Sequence, residues 1–481
     1  MSGADRYENP LVSRYASGAM SALFSARRKF GDWRRLWLWL AEAERELGLP
    51  IPAEALSELS SRLVPTDEEL ASADRHELST KHDVMAHLHA LGEVAPGARG
   101  ILHLGATSAY VGDNADLLAL RDALSLLELR SARVLLALAR FAREHRDLPC
   151  VGYTHFQAAQ PTTVGKRACL WMQDLVLDVA ELSRRREELR FLGCKGATGT
   201  QASFVALFDG DAGKAERLDA LVAAKAGFAR RFLVSGQTYT RKQDALVLSA
   251  LSGLASSASK FANDLRLLQH MKEVEEPFGS KQVGSSAMPY KRNPMKAERM
   301  NALSRWLLTT AENAAWTHAT QWLERTLDDS ANRRLALAES FLAADALLVL
   351  WASVAEGLVV NEAVVRRRLA DEIPFLATEN VLMASARKGG DRQALHERIR
   401  VLAQAAGDRL KAEGGANTLL LDIANDPAFG LSFAEVEAAA DPRRFVGRAP
   451  DQVDAFLREE VDPILAAHPE ALSAEGVEVR V

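Results

Sequence analysis

The stretch Val247-Leu-Ser-Ala-Leu251-Ser-Gly-Leu254-Ala-Ser-Ser-Ala258-Ser-Lys-Phe261-Ala-Asn-Asp-Leu265-Arg-Leu-Leu268 decides the fold. Its apolar residues Val247, Leu251, Leu254, Ala258, Phe261, Leu265 and Leu268 recur at alternating spacings of four and three. That spacing holds one stripe facing the same way over many turns, the mark of a helix packed lengthwise against others. Ser249, Ser252, Ser256, Ser257 and Ser259 lie between and are small enough to let neighbouring helices approach. Val164, Ala168, Trp171, Leu175, Val179 and Leu182 form a second stripe. Further helical tracts are expected from about 296 to 321 and about 332 to 356. Trp33 to Leu47 reads as an amphipathic helix stopped by Gly48 and Pro50. Gln237-Thr238-Tyr239 is expected to open the heptad helix. Ala and Leu outweigh β-branched residues, and neither strand–helix alternation nor a glycine-rich phosphate loop occurs. The expected class is all-α.

With 481 residues the chain is too long for one simple core. Three helical domains are expected: 1–110, a central long-helix bundle over 111–362, and a C-terminal domain over 363–481. In the last, Gly389-Gly390, Gly414-Gly415, Pro427 and Pro442 shorten the helices. So elongated a bundle often completes its core with other subunits. The net charge of −5 argues against a nucleic-acid partner held by bulk charge. Cys150, Cys169 and Cys194 show no paired-thiol spacing, so a reducing cytoplasm fits better than a disulfide framework. The first residues, Met1 to Arg6, lack the apolar core of a signal peptide. The apolar run 341–360 is broken by Asp345 and Glu356 and reads as a buried helix, not a membrane span.

Chemistry concentrates in Gly284-Ser-Ser-Ala-Met-Pro-Tyr-Lys-Arg-Asn-Pro-Met295, which combines two serine hydroxyls, two cations and an amide in a loop with glycine at one end and two prolines inside. Such a loop suits an anionic ligand. Other polar clusters fall at breaks between helices: Ser13-Arg14-Tyr15, Lys81-His82-Asp83, Thr107-Ser108 ahead of Asp113-Asn114, Tyr153-Thr154-His155-Phe156-Gln157, and the turn from Arg325 to Arg334. Each has a plainer interpretation as a cap, a solvated ion pair or a structural histidine. His82, His87 and His89 do not stack on one helical face, and no cysteine or carboxylate set completes a metal site. No Gly-x-Ser-x-Gly elbow occurs. The inventory suits proton transfer on a polyanionic small molecule.

The loop resembles the Ser-Ser-x-Met-Pro-x-Lys-x-Asn signature of the fumarase/aspartase superfamily. Ser13-Arg-Tyr-Ala-Ser17, His82-Asp-Val-Met85, His103-Leu-Gly-Ala-Thr-Ser108, Thr154-His-Phe-Gln157, Lys195-Gly-Ala-Thr-Gly-Thr-Gln-Ala-Ser203 and Arg325-Thr-Leu-Asp-Asp-Ser330 are similar to motifs of the adenylosuccinate lyase family, in its animal-type branch. The resemblance runs from about residue 9 to about residue 460. It implies a homotetramer whose central helices form a shared bundle and whose active sites draw on three subunits. It also implies β-elimination of fumarate from adenylosuccinate, giving AMP, and from the carboxamide ribotide SAICAR, giving AICAR. No cofactor and no metal is implied.

By the same resemblance Ser285 is the general base, with Ser286 as the alternative, and His155 the general acid for the leaving nitrogen. Lys291 would stabilise the serine alkoxide and Asn293 would bind the succinyl carboxylate. His82 would lie close to the substrate with Asp83 orienting it. Thr107, Ser108 and Gln237 would bind the succinyl group. Arg14, Tyr15, Arg299, Arg325, Ser330 and Arg334 match positions suited to phosphate or carboxylate recognition. One departure stands out: Lys81 replaces an arginine common before His-Asp, keeping the charge but losing the bidentate fork. Two competing readings are the same superfamily acting on argininosuccinate or a carboxymuconate, and a non-catalytic helical scaffold.

Overall fold

The structure, a computed structural model, describes residues 5–472. Ser25 starts α1 (Ala26–Glu46), its hydroxyl accepting from the Arg28 amide. The helix therefore begins well before Trp33, because a cap and not the apolar stripe sets its first residue. α2 (Asp67–Thr80) opens on a capping box between Thr66 and Glu69. α3 (Asp83–Val94) follows after Lys81, which takes left-handed angles, and His82, which caps it.

The long helices come next. α4 (Ser108–Glu144) starts at Ser108, so Asp113 and Asn114 lie inside its first two turns, not in a turn before it. A hairpin of β1 (Pro149–Thr154) and β2 (Gln157–Thr163) leads into α5 (Val164–Glu188). The bundle continues with α6 (Lys242–His270), α7 (Met295–Thr320) and α8 (Asp328–Ala355). A two-residue pair, β3 (Val274–Glu275) with β4 (Val359–Val360), ties the end of α6 to the end of α8.

The class is all-α, and α4 to α8 make one bundle in which α6 touches α5, α7 and α8. Every residue of the heptad seam is buried, as is every residue of the second stripe. The stripes meet at Phe261, whose ring lies edge-on to Trp171 at 5.1 Å and stacked on Trp351 at 5.2 Å. Trp171 sends its indole N–H to Asp264 at 2.8 Å, so the large ring is buried without an orphaned donor. The apolar run 341–360 falls mostly within α8, and its side chains from Phe341 to Ala352 are buried inside the bundle.

Helix α9 (Glu362–Leu376) packs beneath the hairpin, with Val151, Leu369, Ile373, Ala377 and Ala440 in a small core of their own. The C-terminal helices hold a separate core that includes Val381, Leu395, Ile423, Phe429 and Val436. The chain then returns to the bundle, where Val453, Leu457 and Val461 join the main core.

Candidate active site

A cleft of about 770 Å³ opens where α1, the α2–α3 junction, α4 and the start of α8 converge. Lys81, His82 and Asp83 line it from the α2–α3 junction and Ser108 from the start of α4. Gln237, Arg325, Ser330 and Arg334 line it from the far side. Half of the residues singled out from sequence therefore share one cavity within a single chain.

His82 is held at both ring nitrogens. Nδ1 accepts the Met85 amide at 3.3 Å as the cap of α3, and Nε2 stands 3.2 Å from the Ser108 hydroxyl. An Nδ1 that accepts leaves the proton on Nε2, so the imidazole donates to Ser108. Asp83 takes Arg334 at 3.2 Å, which ties the second turn of α8 to the start of α3 across the cleft.

A largely buried ionic network lines the same cleft. Asp113 receives both terminal nitrogens of Arg241 at 3.0 Å and the Tyr239 amide at 3.0 Å. Arg241 Nε donates to Asp329 at 2.7 Å, and Asp329 also takes Arg325 at 2.9 and 3.1 Å. Arg333 donates to Asp244 at 2.8 Å and to the Tyr239 hydroxyl at 2.6 Å, and pairs with Asp116 at 2.9 Å. Burial pushes the Asp116 carboxyl up, and Arg333 pulls it back. Every charge is paired, and Asp113, Arg241, Asp329 and Arg333 more than once, the condition under which burial of ions is tolerated. The network fixes Arg325, and it sets the start of α6. Gln237 N–H bonds to the Glu324 carbonyl at 3.0 Å and the Tyr239 amide to Asp113, so residues 237–239 are irregular and the helix begins only at Lys242.

The remaining predicted residues do not line this cleft. Thr107 stands just before α4 as its cap residue, without a side-chain cap bond. Arg14 and Tyr15 lie on a single turn, Leu11–Tyr15, and the Arg299 guanidinium sits 5.5 Å from the Tyr15 ring centroid. His155 is at the hairpin tip, where Thr154 pairs with Gln157 and both central residues have positive φ, +53° at His155 and +58° at Phe156. That is the two-residue hairpin geometry usually assigned to Asn-Gly, here carried by bulky residues. Strained backbone of this kind is often kept for function. Both side chains are exposed.

Ser285, Ser286, Lys291 and Asn293 sit in the loop between β3 and α7. The Ser285 Oγ accepts the Met288 and Ala287 amides at 3.1 and 3.3 Å, while Ser286 is exposed. Asn293 closes the neck by donating to the Gly284 carbonyl at 2.7 Å. A Cβ at Gly284 would lie 2.2 Å from the Lys291 carbonyl oxygen, so only glycine admits this approach. Glu276 fastens the loop's far end, accepting the Lys296 and Ala297 amides at 3.1 and 2.9 Å at the start of α7. Burial raises its carboxyl, and those amides oppose the rise.

The Lys195–Ser203 motif does structural work. Lys195 pairs with buried Asp219 at 2.5 Å, and Gln201 bonds the Cys194 and Ala215 carbonyls. His87 stacks on Phe30 at 3.6 Å, and burial lowers it to about 4.

Sequence comparison places these features in a family. The family model described as "Lyase" matches residues 55–307, and that described as "Adenylosuccinate lyase C-terminus" matches residues 374–456. An adenylosuccinate lyase of Saccharomyces cerevisiae is 48% identical over 478 residues, covering 99% of each chain. One from Schistosoma mansoni is 45% identical over 471 residues, covering 98% of each. Among solved structures, the 3-carboxy-cis,cis-muconate lactonizing enzyme of Pseudomonas putida aligns with TM-score 0.81 at 26% identity, over 96% of this chain and all of that one. The chain belongs to the adenylosuccinate lyase family, within the fumarase/aspartase superfamily.

Proposed function

We propose that this lyase eliminates fumarate from adenylosuccinate to give AMP, and from SAICAR to give AICAR, with no cofactor. The observation that carries the reading is full-length kinship to adenylosuccinate lyases at 45–48% identity, joined to a cleft that holds eight of the motif residues.

The chemistry follows from the groups available. A base removes a proton from the succinyl carbon next to a carboxylate, and the resulting aci-carboxylate carries two negative charges. The C–N bond then breaks, its electron pair goes to the nitrogen, and an acid supplies the proton that nitrogen needs. Ser285 is the proposed base. The Met288 and Ala287 amides already point at its Oγ, which is the arrangement an alkoxide requires. Lys291 adds charge nearby in the loop. His155 is the proposed acid, its ring N–H being the donor the leaving nitrogen needs. In the cleft, Ser108 and Gln237 offer hydrogen bonds to the succinyl group, with Thr107 beside them. Arg325, Ser330 and Arg334 offer charge and hydroxyl to anionic groups, and Arg14, Tyr15 and Arg299 form a second basic group. Lys81 contributes charge without a fork.

We further propose a homotetramer with sites assembled from several subunits. Two observations support it. Neither Ser285 nor His155 lines the cleft of its own chain. Large apolar residues are exposed on the bundle, including Leu177 (64%) on α5, Leu267 on α6 and Trp316 (71%) on α7. A cytoplasmic location accords with three buried, unpaired thiols.

Release of fumarate and AMP from adenylosuccinate by the purified protein, followed by ultraviolet absorbance, tests the reaction, with argininosuccinate and a carboxymuconate as comparison substrates. Turnover of either comparison substrate in preference to adenylosuccinate would replace the proposal.

A further inference from the structure

We propose that Lys29, which none of the family motifs includes, binds the phosphate group of the substrate; this rests on the lyase reading above. Lys29 lies in the first turn of α1 and lines the same cleft as His82 and Arg334. Its amine stands 5.3 and 5.2 Å from the ring centroids of Phe30 and Trp33, so aromatic faces hold the cation in place.

Three carboxylates face this amine, Asp116 from α4, Asp83 from α3 and Glu77 from α2, yet among the described residues none forms an ion pair with it. Asp116 is committed to Arg333 at 2.9 Å and Asp83 to Arg334 at 3.2 Å. Burial depresses the Lys29 amine, Asp116 partly restores it, and Arg334 depresses it again. A half-buried ammonium short of counter-charge is costly to keep unless a ligand supplies that charge. The cleft's guanidiniums are already engaged, Arg241 and Arg325 by Asp329, Arg333 by Asp116 and Arg334 by Asp83, which leaves two lysines to meet an incoming anion, and of these Lys81 is exposed while Lys29 is the more buried. A phosphate monoester carries close to two charges near neutral pH and suits a compact ammonium.

Lys29→Met keeps the apolar stem and removes the charge. AMP, which has the phosphate but no succinyl group, and fumarate, which has only carboxylates, serve as inhibitors. We expect the AMP inhibition constant and KM for adenylosuccinate to rise about 10-fold, kcat to stay within about 3-fold, and fumarate inhibition to be unchanged. Lys29→Arg should recover most of the AMP affinity. Unchanged AMP inhibition in Lys29→Met, or weakened fumarate inhibition in its place, overturns the proposal. Circular dichroism checks folding, and Lys29→Gln replaces the methionine variant if that one fails to fold. A wild type that releases no fumarate refutes the lyase reading, whereas an active wild type matched by Lys29→Met refutes the phosphate contact alone.

Discussion

Glu44 in α1 is 0% exposed, and neither carboxyl oxygen has a hydrogen-bond partner. Burial raises its carboxyl from an ordinary 4.5 to about 8. The folded state therefore keeps a proton that the unfolded chain has lost, and stability falls as pH rises from 4.5 to 8. His87 and His103 act in the opposite sense, because burial lowers both to about 4. Their unfolded forms take up protons below about 6.5, so they cost stability mainly on the acid side of that pH. Between pH 6.5 and 8 each histidine still returns about 0.4 kcal/mol, a share common to any variant at Glu44, while Glu44 loses more. Linkage over that interval gives a loss of about 1.5 kcal/mol from Glu44 alone. Glu44→Gln keeps the shape and removes the titration. Denaturant unfolding of both proteins at pH 6.5 and 8 isolates the effect, because every other titrating group is common to the two. The wild type should lose about 1.5 kcal/mol more than the variant across the interval. Equal losses would show that Glu44 is ionised in the folded protein and that this account of its burial is wrong.

Ser285→Ala and His155→Ala should each lower kcat by orders of magnitude, with the assembly unchanged by light scattering; near-normal turnover in either removes its assigned role. Gly284→Ala drives a methyl against the Lys291 carbonyl and should open the loop neck, cutting kcat about 10-fold or more while the thermal midpoint scarcely moves. A large drop in that midpoint would instead make the loop part of the folding core. Asp113→Ala strips Arg241 of a bidentate partner and the Tyr239 amide of its acceptor, and should destabilise the protein by about 3–5 kcal/mol in denaturant titration.

The helical bundle was legible because its signal is local and periodic: seven residues at spacings of four and three place Phe261 and Leu265 in the core without knowledge of any partner. Helix starts were less so, since a cap such as Ser25 sets the first residue from outside the apolar stripe. The hairpin escaped because its turn is His155–Phe156, where strand pairing overrides the preference of both residues for negative φ. Motif residues such as Ser108 and Arg334 could be named from sequence, but the ions behind them could not. Asp113 and Arg241 lie 128 residues apart, and nothing in the order of residues announces that they meet. Tyr239 and Asp329 stood inside quoted motifs and signalled only polarity. The signal that could have found them is an excess of mixed charge at breaks flanked by buried helices.

Mixing subunits puts the central claim, a fumarate-releasing site built from more than one chain, to the most direct test. Ser285→Ala and His155→Ala proteins, each inactive alone, are denatured together in equal amounts, refolded and assayed on adenylosuccinate. If each site takes its serine and its histidine from different subunits, random assembly leaves about a quarter of the sites with both intact, and about a quarter of wild-type activity returns. A mixture that assembles and stays as inactive as its parents contradicts the account.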